Sequence, residues 1–172
     1  MSRSASAKFA LLALALVGCS AAQRGAEMAR PEPFFDVVAF FNGRTMGDGR
    51  VKILFSSAER LRVDGQGHRD PDGTLVLDQQ VRRGDRKIQS RQWRMRPIGG
   101  GRIAGTLSDA SGPVSGDVRG NVLHLSYPMK DGTKVEQWIY LQTGGQLAVN
   151  RMNISKFGLT VATIDEAIRK LD

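Results

Sequence analysis

Reactive chemistry is scarce in this chain: its 172 residues include one cysteine and two histidines. A lone cysteine excludes an internal disulfide, so stability has to come from the core. His68 lies among Gly67, Arg69 and Asp70 near a turn and reads as solvated, whereas His124 alternates with Leu123 and Leu125 and reads as one face of a strand. Two separated histidines fall short of the three or four converging ligands of a zinc site, so neither a metal nor another cofactor is expected. Ser111-Gly112 and Ser115-Gly116 lack the flanking glycines of a nucleophile elbow and read as turn or bulge residues. Asp64, Asp78, Asp109 and Asp117 are candidate carboxylates for paired acid and base work, but they mostly adjoin glycines, where turn or bulge geometry accounts for them. No catalytic set emerges, and the chain reads as a non-enzyme. A long apolar run is missing too: the run over residues 9–17 is far short of the ~20 residues a spanning helix needs.

That short run has another use. Arg3 and Lys8 precede it and small residues follow, which is the three-part form of a secretory signal over residues 1–18. Its end, Leu16-Val17-Gly18-Cys19, resembles the lipobox of bacterial lipoproteins. The resemblance implies that Cys19 becomes the first mature residue, with a diacylglyceryl group on sulfur and a further acyl chain such as palmitate on its amine. Each buried methylene contributes about 0.8 kcal/mol, and two or more chains turn marginal binding into stable anchoring. Ser20 replaces the aspartate that marks inner-membrane retention in such lipoproteins, which implies the periplasmic face of the outer membrane.

Removing the signal leaves residues 19–172, enough for one domain. Arg3 and Lys8 leave with it, so 23 basic residues remain against 17 acidic ones, a charge of +6. Behind a lipobox this basic balance points to phospholipid or lipopolysaccharide head groups rather than nucleic acid, with a merely solvated surface as the plain alternative. Residues 19–32 are small and polar with a proline near the end and read as a lipidated flexible tether; a single domain is expected over residues 33–172.

Four of the seven phenylalanines, Phe34, Phe35, Phe40 and Phe41, fall within eight residues. With Val37 and Val38 they suggest a short helix, stopped at Asn42-Gly43, that plugs one end of a core. From Gly49 onward, short alternating runs are broken by turns such as Asp70-Pro71-Asp72-Gly73, Arg83-Gly84-Asp85 and Gly99-Gly100-Gly101. Val51, Ile53 and Phe55 share one face, and further runs continue to residues 146–155, giving nine strand candidates. Linked neighbours favour an up-and-down meander, so the expected fold is an all-β, small antiparallel barrel of about eight or nine strands. Lys52, Arg60, Arg62, Arg94 and Arg96 on its outer faces argue against a lipid-facing wall. Thr163 with Glu166, followed by Ile164, Ala167, Ile168 and Leu171 at helical spacing, predicts a short C-terminal helix.

A series of motifs carries a resemblance: Phe41-Asn42-Gly43, Arg91-Gln92-Trp93, Gly120-Asn121, Trp138-Ile139-Tyr140-Leu141, Asn150-Arg151-Met152 and Ser155-Lys156-Phe157-Gly158. Together they resemble a bacterial lipoprotein family catalogued only as domain of unknown function 3833. The resemblance implies a lipocalin-like barrel and brings no catalytic residue with it.

Arg91 and Trp93, two apart on a strand, share a face with Met95. An interior arginine must be paired or stacked, so Arg91 is expected on an indole, Trp93 or Trp138, either sealing the barrel or holding an anionic head group. Lys156 is a further candidate at the barrel mouth; the simpler account is an exposed lysine beside a buried Phe157. The leading functional expectation is a membrane-anchored binding or carrier module for a lipid, fatty acid or other amphipathic ligand. The alternatives are a structural, partner-docking lipoprotein of the envelope and, third, a hydrolase at the barrel mouth.

Overall fold

The computed structural model describes residues 25–172. The expected signal peptide, the lipidation site Cys19 and the first part of the tether lie outside the described residues. Period-two alternation between glycine-bearing turns yields ten antiparallel strands: β1 Gly43–Ile53, β2 Ala58–Arg69, β3 Leu75–Arg83, β4 Gln89–Pro97, β5 Arg102–Leu107, β6 Val114–Arg119, β7 Val122–Pro128, β8 Lys134–Leu141, β9 Leu147–Lys156 and β10 Leu159–Lys170. Each strand pairs with its neighbours in sequence and β1 also pairs with β10, so the sheet is a closed up-and-down barrel without a free edge.

The strand count exceeds expectation by one, because the expected C-terminal helix is β10. Thr163 pairs with Lys52 on β1 and Asn153 on β9, and Glu166 turns into the barrel instead of capping a helix. Local helical spacing loses here to tertiary demand. Without β10, the facing edges of β1 and β9 would leave backbone donors and acceptors unpaired. Lys170 at the end of β10 caps a helix from another part of the chain: its Nζ donates to the carbonyls of Ala39 (3.2 Å), Phe40 (3.3 Å) and Asn42. These lie at the C-terminal end of α1, Val37–Phe41, where a cation is favoured.

α1 with Phe35 before it forms the expected aromatic plug, but Phe34 departs from expectation: it precedes the helix and is 58% exposed. The Asp36 side chain accepts from Ala39 N–H at 2.9 Å and starts the helix. Phe35, Phe40 and Phe41 are each no more than 3% exposed, and Phe40 and Phe41 meet edge to face at 4.9 Å. Residues 25–32, expected as part of a tether, run against the barrel at this same end. Arg30 N–H donates to Asn121 Oδ1 (2.6 Å), while Asn121 Nδ2 donates to the carbonyls of Met28 (3.0 Å) and Leu141 (2.8 Å).

Glycines shape the interior beside the plug. A methyl group on Gly67 would stand 1.9 Å from the Phe41 carbonyl oxygen, and one on Gly47 would stand 1.8 Å from Glu166 Oε1. The bare wall of β1 and β2 is therefore what lets α1 and the Glu166 side chain enter the barrel. The opposite end holds the turns of five hairpins, and two details there depart from expectation. Phe55 does not follow Val51 into the core but is 97% exposed, and Phe157, expected to be buried, is 95% exposed.

Candidate functional site

Along β4 the inner face carries Arg91, Trp93 and Met95, with Trp93 and Met95 buried and Arg91 half-buried. Gln79 on β3, in register with Arg91, ties the group together. Its Oε1 accepts from Arg91 Nε and from Trp93 Nε1, both at 2.9 Å. The guanidinium carbon lies 5.6 Å from the centre of the Trp93 ring, an arrangement that contributes about 0.5–2 kcal/mol. Trp93 in turn meets Tyr127 edge to face at 5.2 Å, and the Tyr127 hydroxyl donates to Gln137 Oε1 at 3.2 Å. Burial pushes the Tyr127 hydroxyl well above the ordinary phenol range.

A buried acid completes this polar interior. Glu166 on β10 is 8% exposed and accepts from Asn150 Nδ2 at 2.8 Å. Burial raises its pKa, opposed by the Asn150 hydrogen bond and the positive charge of Arg91. Asn150 is 1% exposed, and its Oδ1 has no hydrogen-bond partner among the described residues. An interior space of about 30 Å³ lies among these groups, lined by residues that include Thr45, Arg91, Trp93, Gln137 and Glu166. That admits two or three waters, at about 10–15 Å³ each. An acyl chain does not fit in that space.

The other sequence candidates do not join this group. Trp138 faces outward and stacks on His124 at 4.9 Å on the outer wall, so it neither seals the barrel with Arg91 nor lines its interior. The reason is parity: on β8 the inward residues are Val135, Gln137, Ile139 and Leu141. His124 also lies between Glu136 (2.7 Å) and Asp117 (3.4 Å), and Glu136 accepts from Ser126 (2.9 Å). Glu136 is held below its usual range: burial works against ionisation, but Lys134, His124 and Ser126 outweigh it. Ser126 is not bonded to His124, so the cluster does not provide an activated serine. Lys156 sits exposed at the β9–β10 turn and donates to the Asp131 carbonyl at 3.1 Å.

A polar groove of about 820 Å³ also runs along β1 to β4, lined by outward residues such as Asp64, Asp78 and Gln92 and by Thr45, Gln79 and Arg91 of the inward-facing set. Along it Gln92 donates to Asp78 (2.8 Å), and Asp64 accepts from the neighbouring Arg62 (3.2 Å). Among the described residues, no group of three or more His, Cys, Asp or Glu is placed to hold a metal ion. The site residues that sequence reasoning missed are Gln79, Tyr127, Gln137, Asn150 and Glu166. For Gln137 and Asn150 a signal existed: each interrupts an apolar series at inward parity, between Val135 and Ile139 and between Ala148 and Met152.

The barrel is similar to two solved structures at the level of fold. One is an S-type phycobiliprotein lyase from Guillardia theta, with 8% identity, a TM-score of 0.59, and 78% of this chain and 91% of that chain covered. The other is a protein of unknown function from the DUF3598 family of Nostoc punctiforme, with 13% identity, a TM-score of 0.60 and 82% of this chain covered. The chain spans about half of that second protein, 51%. No curated protein matches. A family model described as a protein of unknown function (DUF3833) matches residues 13–170.

Proposed function

With that match spanning nearly the whole chain, the protein belongs to the DUF3833 family, and from its interior we propose a non-catalytic binding module. In this reading the module is anchored through Cys19 to the periplasmic face of the outer membrane. Its ligand is a lipid, fatty acid or other amphipathic molecule whose polar group is received at Arg91, Gln79 and Glu166. The observation that carries the reading is the polar constellation inside the barrel. A core filled for stability alone would be apolar, because each unsatisfied buried polar group costs about 1–3 kcal/mol. Here an arginine, an acid and an orphaned amide oxygen are retained.

Access is asymmetric. One end is closed by α1, while Val81, Ile154 and Ile164 at the opposite end are only half-buried and offer apolar contact to a chain entering there. With about 30 Å³ free beside Arg91, entry requires Arg91 to leave the face of Trp93. Native mass spectrometry of protein taken from its own membrane, before and after Arg91→Met, tests the reading. Wild type is expected to carry a small amphipathic molecule that the variant loses while staying folded. A variant that unfolds, together with a wild type that carries nothing, makes Arg91 a structural seal. That outcome favours the second reading, a packed barrel that docks a partner, for which the small size of that space speaks.

A further inference from the structure

We infer that the barrel end opposite α1 is a docking face for an anionic lipid surface, with Phe55 and Phe157 entering the head-group layer. Both rings are almost wholly in solvent, 97% and 95% exposed. They sit on neighbouring hairpins: the β1–β2 and β9–β10 turns are joined where Leu54 N–H donates to the Val161 carbonyl at 2.8 Å. Leu54 and Leu159 beside them are 50% and 70% exposed, and Ile88 on the nearby β3–β4 turn is 41% exposed. Isolated exposed apolar residues are ordinary; five on adjoining turns at one end form a patch.

The backbone adds a second observation. Phe55 and Phe157 are the two non-glycine residues with positive φ among the described residues, at 62° and 51°. A bulky aromatic residue is poorly suited to that region, which asparagine tolerates better. Neither ring packs on the barrel, so folding gains nothing from having phenylalanine there.

Charge identifies the occupant. Residues 52–60, 82–88 and 154–161, which make up these three turns and their flanks, carry seven Lys and Arg against two carboxylates. One of the two, Glu59, is already held by Arg83 (2.9 Å) and Arg86 (3.3 Å). Aromatic tips within a ring of cations match the interface of a bilayer rich in anionic head groups, where apolar entry and electrostatic attraction add. A water-soluble acidic protein would meet the cations but give the two rings no apolar layer to enter. Gly25, the first described residue, lies against Tyr140 near the plugged end, so this face is separate from the chain's entry into the barrel. The inference does not depend on a ligand in the lumen.

The test is co-sedimentation of the full chain carrying Cys19→Ser, so that no acyl chain contributes. Vesicles of phosphatidylethanolamine with phosphatidylglycerol are compared with vesicles of phosphatidylcholine alone. The parent is expected to bind the anionic vesicles, more weakly as salt is raised. Phe55→Asn with Phe157→Asn should lower that binding about tenfold or more while the melting temperature stays level or rises. Equal binding by parent and double variant overturns the inference, since charge alone would then account for it. A parent that ignores both vesicle types also overturns it, even if the same residues hold a protein partner.

Discussion

Two carboxylates show how place decides the behaviour of the same side chain. Glu59, on the surface between Arg83 and Arg86, has its pKa lowered to about 2 by their hydrogen bonds. Its folded pKa lies below the ordinary value of 4.5, so what it contributes to stability is present above pH 4.5 and is lost as pH falls towards 2. Glu166 has the opposite sign. Burial raises its folded pKa, so stability is full below the ordinary glutamate range and declines as pH rises, because the unfolded chain ionises this group freely. Glu166→Gln keeps an acceptor for Asn150 and removes the titration. Its melting temperature should exceed that of wild type at pH 7, and the difference should vanish near pH 4, as read by calorimetry across that range. A difference independent of pH would mean that shape rather than ionisation governs the site. This acid was not legible as a core residue, because a Thr163 three positions earlier makes it look like a helix cap.

Among the elements, α1 shows a five-residue helix maintained by its surroundings rather than by its own propensity. The Asp36 side chain starts it, Lys170 satisfies carbonyls at its end, and the bare position at Gly67 lets its backbone lie against β2. Gly67→Ala should displace the helix at a cost of about 2–4 kcal/mol, measurable by denaturant titration. Phe41→Ala, which empties space in the same plug, should cost about 3–5 kcal/mol. The plug was readable because four large rings within eight residues have few other uses. The start of β1 was not: glycines at 43, 47 and 49 look like turn punctuation, and the strand was expected only from Gly49. In the fold, Gly47 and Gly49 lie on the inner face against β10, where a methyl group on Gly49 would meet the Asp165 carbonyl oxygen at 2.3 Å.

For the whole molecule, closure is the feature on which the rest depends. β10 joins β1 to β9, so a chain ending after Gly158 would expose two long edges in place of none. Such a truncation should yield no soluble monomer by size-exclusion chromatography, while far-ultraviolet circular dichroism of any recovered protein should lose the barrel signal. Much of the fold follows from local pattern: alternation and turn chemistry determine nine strands, their antiparallel order and the inward parity of Arg91 and Trp93, since period and turn type act over a few residues. What needed the tertiary structure involves partners far apart in sequence. A helical-looking tail becomes a strand because two distant edges require it, and Trp138 is turned outward by the parity of its strand. Glu166 and Asn150 share the interior with Arg91 only once the sheet has curled round to bring β4 opposite β9 and β10. Apolar tips at Phe55 and Phe157 likewise become one patch only when the first and last hairpins meet, because adjacency across a barrel seam is a property of closure and leaves no trace in spacing along the chain.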